Sequence, residues 1–319
     1  MADAHAAPAP APYAPGPHPP PQPPVAPQPP AAAAASRESP EPCVTCGRPA
    51  GSAYCPHCGE RRAADRRYTL GALAEEAVDA LSPADGRGLR TAWLLLRRPG
   101  ALTAAYVRGV RQPYLAPLKL FLLVNLAYFA FVAVTHQPVF TTRLVSHLYR
   151  SPYEATAQRL VAARLAARGT TEAAYRERFD AAAETQAKSL VGLLVPGFAL
   201  AVALVQVRRR RPALHHLTFA LHSVAALLVV LMVCGVTVFP LAELAVQRSG
   251  LDPDGELADA LTAMPLLLVW GAWLAAGSRA AYGDGWAAAA AKAAALLVGF
   301  MGVLGVYRAL LFVVTFATT

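Results

Sequence analysis

Residues 217–241 read LTFALHSVAALLVVLMVCGVTVFPL and contain no aspartate, glutamate, lysine or arginine. A helix that crosses a bilayer needs about 20 predominantly apolar residues, so this stretch is long enough to span one. The whole chain has a similar bias, with 55% hydrophobic residues, 15% charged residues and a mean hydropathy of +0.35. An ordinary soluble domain is less apolar than this. The sequence therefore predicts an integral membrane protein.

Four further stretches approach the length of a membrane span. The five predicted spans lie near residues 115–135, 190–207, 217–241, 261–277 and 293–316. Together they predict a membrane domain over residues 115–319. An odd number of crossings places the two ends of this domain on opposite sides of the bilayer.

The distribution of arginine predicts the orientation of the spans. The region before the first span is strongly basic, and Arg208–Arg211 lie between the second and third spans. Basic loops stay on the cytosolic side, so both regions are expected there. The loop after the third span has one base, Arg248, among five acids, which suits the outer face. The sequence thus predicts a multi-pass protein of the cytoplasmic (inner) membrane with a cytosolic N-terminus.

Three regions outside the spans have distinct compositions. Residues 1–42 are rich in proline and alanine with few large hydrophobic side chains, which predicts a disordered tail. Residues 66–114 predict cytosolic amphipathic helices near the membrane, one of which places Leu89 and Trp93 on one face among arginines. Residues 136–188 are too polar to span and predict an extracytoplasmic loop with two amphipathic helices.

Two C-x-x-C-G motifs, CVTCG at 43–47 and CPHCG at 55–59, precede the membrane domain. Each motif places two thiolates on one tight turn, and Gly47 and Gly59 can adopt the positive φ that such a turn needs. Two turns close a tetrahedral site, which favours structural zinc over a redox dithiol pair or an iron centre. His57 is then a bystander. The expected zinc ligands of this ribbon, residues 43–62, are Cys43, Cys46, Cys55 and Cys58.

The complete prediction is therefore an all-α polytopic membrane protein of about five transmembrane helices with a small N-terminal zinc ribbon. The fifth cysteine, Cys234, lies in an apolar stretch, so the cysteines show no disulfide framework and agree with a reducing compartment. The net charge of +9 arises from arginines beside apolar stretches, which favours anionic lipid over nucleic acid. The expected partners are the lipid bilayer and a cytosolic or membrane protein.

The order of these parts resembles a family of uncharacterised bacterial membrane proteins that is grouped only as a domain of unknown function. The likeness rests on residues 96–100 (LRRPG), 106–114 (YVRGVRQPY), 216–222 (HLTFALH) and 281–283 (AYG). Members of the family carry an N-terminal double C-x-x-C ribbon followed by several membrane helices. The resemblance implies this architecture and no established activity. The family often has an acidic residue at the position of His215.

Four membrane residues are candidates for a function beyond packing. His215 and His222 are two helical turns apart on one face, and with His216 they suggest a metal site or proton relay. Hydrogen-bonded residues at the membrane interface are the alternative. Arg308 falls inside the last apolar stretch, where it should meet an acid such as Glu243 or reach the outer interface.

Three functions are compatible with these features. The first is a non-enzymatic scaffold or sensor whose ribbon recruits a partner. The second is a small-solute transporter or channel, although the sequence shows no inverted repeat. The third is an intramembrane enzyme that uses the three histidines and Arg308, although neither paired carboxylates nor a nucleophile motif accompany them.

Reporter fusions test the predicted topology. A reporter that is active only in the cytosol should be active when fused after Arg211 and inactive when fused after Asp254, because the arginine-rich loop stays inside and the acidic loop crosses. A second reporter, active only outside the cytosol, should give the reverse pattern. Equal activity at both positions would contradict the five-span topology.

Overall fold

The computed structural model describes residues 41–61, 87–135, 140–250 and 256–319. The chain forms eleven α-helices within these ranges: α1 (Arg87–Arg97), α2 (Ala101–Arg108), α3 (Pro117–Thr135), α4 (Leu144–Tyr149), α5 (Glu154–Arg168), α6 (Glu172–Leu190), α7 (Leu194–Val205), α8 (Ala213–Val236), α9 (Val238–Ser249), α10 (Glu256–Tyr282) and α11 (Trp286–Thr318). The tail predicted over residues 1–42, apart from Glu41 and Pro42, lies outside the described residues, as does the part at 66–86 of the amphipathic helices predicted over 66–114.

Five helical segments are long and apolar enough to cross a membrane: Pro117–Thr135, Glu172–Val205, Ala213–Val236, Ala260–Tyr282 and Trp286–Thr318. No β-strand forms in the described ranges, where only two isolated β-bridges occur, both next to the cysteine motifs. The prediction of an all-α polytopic membrane protein is confirmed.

The second span differs from the sequence prediction in where its helix begins. The apolar stretch predicted at 190–207 forms only the end of a 34-residue helical segment that begins at Glu172. The polar helix α6 continues through a short 3-10 turn, Val191–Leu193, into the apolar helix α7. At about 1.5 Å per residue this segment is some 50 Å long, well over the thickness of a bilayer core. Its first half therefore projects beyond the membrane.

Helix α8 lies at the centre of the bundle. In its most apolar window 72% of residues are buried, against 22% to 28% in the other four spans. It packs against α2, α3, α7, α9 and α10. Lipid covers an apolar helix as well as protein does, so the central position of α8 follows from the polar side chains that it carries. His216 bonds to Tyr282 of α10 and His222 bonds to Thr103 of α2, partners that lipid cannot supply.

Helices α4, α5 and α6 form a distal cap at one end of the bundle. Their shared core contains Leu144, Val161 and Phe179 and is completed by Phe312 from α11. The side chain of Gln186 in α6 also accepts a hydrogen bond from Thr315 Oγ1 at 2.7 Å. The region predicted to be a loop with two amphipathic helices thus holds three helices, and the third is continuous with the second span.

The opposite end of the bundle carries α1, α2 and the turns that follow α7 and α10. The indole nitrogen of Trp273 in α10 donates a hydrogen bond to the carbonyl oxygen of Leu95 in α1 at 2.8 Å. The turn between α1 and α2 packs so closely on α10 that a Cβ atom at Gly100 would lie 2.4 Å from the carbonyl oxygen of Gly277. The two C-x-x-C-G turns, which we call knuckles, attach at this end of the bundle. We therefore call it the knuckle end.

Replacement of Gly100 tests this close approach. Gly100→Ala should lower the apparent Tm in detergent more than Gly250→Ala. Both residues have positive φ, +77° and +69°, but only Gly100 has atoms within 4 Å of the added Cβ. The left-handed conformation costs roughly 1–3 kcal/mol in either variant, and forced repacking adds roughly another 1–3 kcal/mol at Gly100. Equal Tm values for the two variants would contradict the packing of this turn.

Candidate metal centre and its attachment to the membrane domain

The two cysteine motifs form a pair of turns with the same backbone hydrogen bonds. In the first turn Gly47 N–H donates to the carbonyl of Cys43 at 2.8 Å, and in the second Gly59 N–H donates to the carbonyl of Cys55 at 2.9 Å. Both glycines have a φ of 72°, a conformation that glycine adopts at little cost. The local sequence C-x-x-C-G therefore builds the same knuckle twice.

The four cysteine sulfur atoms of the two knuckles form one cluster. They lie within 4.8 Å of one another, and two pairs, Cys43 with Cys58 and Cys46 with Cys55, are 3.6 Å apart. Sulfurs around a tetrahedral metal with bonds of about 2.3 Å would be separated by about 3.8 Å, so the cluster can hold a metal ion. A disulfide needs sulfurs about 2.05 Å apart, and all four cysteines are free thiols.

The chemistry of the cluster suits a structural metal. Four thiolates complete a tetrahedral set and leave no position for water or substrate. Backbone hydrogen bonds, first from His57, lower the pKa of Cys55 to about 7, while burial raises the pKa of Cys58 to about 12. A metal must therefore displace the proton of Cys58 to bind all four sulfurs. The imidazole of His57 is not part of the sulfur cluster and pairs with Arg48, with Nδ1 3.1 Å from Nη1.

A buried carboxylate attaches the knuckles to the membrane domain. Glu60, only 3% exposed, accepts hydrogen bonds on one oxygen from the backbone N–H groups of Arg111 and Gln112 at 2.9 and 3.0 Å. The same oxygen accepts from the hydroxyl of Thr45 at 2.7 Å. In the opposite direction, the side-chain amide of Gln112 donates a hydrogen bond to the carbonyl oxygen of Gly59 at 3.0 Å. The metal cluster is therefore held against the segment that leads into the first span.

Sequence reasoning missed the role of Glu60. The available signal was an acid two residues after Cys58, at the start of a segment, residues 59–67, that holds four arginines. Its partners are backbone amides about fifty residues away, which no local pattern identifies.

A second polar cluster at the knuckle end was also missed. Asp284, in the turn between α10 and α11, receives hydrogen bonds from Lys292 at 2.7 Å and from Arg209. Gln206 donates to the other oxygen of Asp284 and accepts from Lys292 at 2.6 Å. Burial raises the pKa of Asp284, but the bonds from Lys292, Arg209 and Gln206 outweigh it, so the pKa lies below its usual value. This cluster ties the turn after α7 to the turn after α10.

The three candidate histidines have separate environments. His215 stacks on Tyr282 with ring centroids 4.6 Å apart, and Nδ1 of His216 lies 3.0 Å from the hydroxyl oxygen of the same tyrosine. His222, deeper in α8, pairs instead with the hydroxyl of Thr103 at 2.8 Å. Among the described residues the cysteine cluster alone has the geometry of a metal site, and the histidines are not part of it.

Arg308 lies far from the three candidate histidines, His215, His216 and His222. It is exposed and sits sixteen residues after Lys292 on the continuous helix α11, or about 24 Å along the axis. Its charge acts on His147 and Tyr153 of the distal cap region. Burial, with a smaller contribution from the charge of Arg308, lowers the pKa of His147 to about 4 against a backbone hydrogen bond at Thr142 that raises it. Among the described residues, Glu243 forms no salt bridge with Arg308.

These features define a class: an all-α polytopic membrane protein with a four-cysteine cluster, suited to a metal ion, docked on one end of the bundle. Residues 85–129 match the model of a family described as "Protein of unknown function (DUF3667)". The matched stretch includes α1, α2, the segment that contacts Glu60 and about the first two thirds of α3. Comparison with curated proteins and with solved structures gave no match.

Elemental analysis of the purified protein tests the metal centre. The wild-type chain should carry one metal ion, and Cys55→Ala should lose it because three thiolates bind far more weakly than four. Cys234→Ala is the matched control, since Cys234 is also buried and free but lies in α8. Full metal occupancy in Cys55→Ala would contradict the four-sulfur site.

Proposed function

We propose that this protein is a non-enzymatic scaffold or sensor of the cytoplasmic membrane, in which a cytosolic structural zinc ribbon recruits a protein partner. The observation that carries the proposal is the docking of the cysteine cluster on the membrane domain through Glu60. This contact presents a small metal-stabilised surface at a fixed place beside the bilayer. A surface held in this way is suited to binding another protein.

Zinc is the metal that the ligand set favours. Four thiolates in a tetrahedral arrangement are typical of structural zinc sites, and a closed set of protein ligands supports a role in folding over one in catalysis. Iron can bind four thiolates too, so the identity of the ion in the elemental analysis bears directly on this part of the proposal.

A cytosolic position of the ribbon is supported by the charges around it. Arg97, Arg98 and Arg108 lie in or beside α1 and α2, and Arg208–Arg211 lie in the turn that meets Asp284 at the same end of the bundle. Basic segments next to membrane spans favour the cytosolic side, where anionic headgroups attract them. The reducing cytosol also maintains the thiols that zinc requires.

The ribbon exposes apolar surface that a partner can bury. Val44 and Tyr54 are 44% and 58% exposed, one on or beside each knuckle. Tyrosine is favoured at protein interfaces because it offers a large apolar ring with a polar end. Glu60 holds the ribbon against Arg111 and Gln112, and in this docked position Val44 and Tyr54 keep their exposure.

Site-specific photo-crosslinking in native membranes tests partner recruitment. A photoreactive residue at Tyr54 should give a discrete adduct with another protein, whereas the same residue at Tyr149 on the distal cap, also 58% exposed, should not. Cys55→Ala should remove the adduct because the knuckle surface depends on the metal. An identical adduct pattern at both positions, or one that persists in Cys55→Ala, would contradict recruitment by the ribbon.

A further inference from the structure

A cavity of about 460 Å³ opens at the knuckle end, apart from the cysteine cluster. Its walls come from three parts of the chain: Pro99 in the turn between α1 and α2, Arg279 at the end of α10, and Gly283, Asp284 and Trp286 around the start of α11. None of the ribbon residues that the structure describes, 43–61, lines it. The cavity is therefore a feature of the membrane domain itself.

The cavity has an excess of positive charge. Both Lys292 and Arg209 bind the same oxygen of Asp284, so two cations already surround the carboxylate that lines the cavity. Arg279 adds a third cation, and no described carboxylate forms a salt bridge with it. The field at the cavity therefore favours an anion.

Arg279 is held in place by an aromatic ring. Its guanidinium lies 4.8 Å from the centroid of Trp286, in the cation–π range. Stacking uses the face of the guanidinium and leaves its N–H groups available at the edge, where they match the oxygens of a phosphate. An ordered cation loses less entropy when it binds a ligand.

The position of the cavity matches the headgroup region of a bilayer. Arg279 and Trp286 flank the turn between two membrane spans, and both are exposed. Arginine and tryptophan are the side chains that favour this depth. Pro99 is held in its position on the cavity wall, because the adjoining Gly100 packs directly on the backbone of Gly277.

We propose that this cavity is a binding site for a phosphate group, in which Arg279 is the principal ligand-binding residue. Such a group is supplied either by the headgroup of an anionic phospholipid or by a soluble phosphate. The site is independent of the proposed zinc ribbon and of partner recruitment. It gives the knuckle end a second binding surface, specific for an anion.

Native mass spectrometry of the full-length protein in neutral detergent tests the site. The probes are phosphatidylglycerol, phosphatidylcholine of the same chain length, and inorganic phosphate as a competitor. Wild type should retain phosphatidylglycerol over phosphatidylcholine, and Arg279→Gln should weaken phosphatidylglycerol binding about fivefold, the effect of one interfacial arginine. Arg279→Lys keeps the charge and should preserve most of the affinity. Arg248→Gln removes an exposed arginine elsewhere in the bundle and should have no effect.

The outcomes separate the two sources of phosphate. Loss of phosphatidylglycerol binding in Arg279→Gln, without competition by inorganic phosphate, identifies the lipid headgroup. Arg279-dependent binding of inorganic phosphate identifies a soluble ligand. Equal binding of every probe by Arg279→Gln and Arg248→Gln would overturn the proposal. Metal content should be normal in Arg279→Gln, and phosphate binding should persist in Cys55→Ala, so failure of either proposal can be told from failure of the other.

Discussion

The bilayer requires every backbone polar group within it to be paired inside the protein, and the structure depends on this constraint. Helices meet it segment by segment, so five apolar segments become five helices. Their arrangement then follows from which segment carries polar side chains that need partners inside the protein. Helix α8 carries His216 and His222, which pair with α10 and α2, and it lies at the centre. The other four spans leave most of their residues unburied within the protein.

The sequence was sufficient for the elements that depend on local composition. The number of spans follows from apolar length, and the conformation of Gly47 and Gly59 follows from the C-x-x-C-G spacing. The start of the second span was not predictable in this way, because an apolar window detects the lipid-facing half of a helix and ignores a polar half that continues it. Helix α6 is such a half, with Phe179 buried in the cap and its other faces polar.

The residues that sequence reasoning missed at the candidate sites act through contacts between segments that are distant in the sequence. Glu60 and Asp284 have ordinary neighbours in the chain, and their roles arise only from partners that the fold brings to them. The histidines illustrate the opposite case. His215 and His222 share a helical face in the sequence pattern, yet Tyr282 and Thr103 occupy the hydrogen-bonding or stacking positions beside α8 and separate their environments.

Helix α11 has a mechanical consequence. It is a single helix of 33 residues, about 50 Å long, and both of its ends are tied to polar or aromatic clusters. Lys292 joins it to Asp284 near one surface, and Phe312 joins it to the cap near the other. An unbroken helix resists compression along its axis, so a small axial shift imposed at one surface is carried to the other as a rigid-body displacement. Helix α11 is thus one continuous rigid connection between the knuckle end and the distal cap.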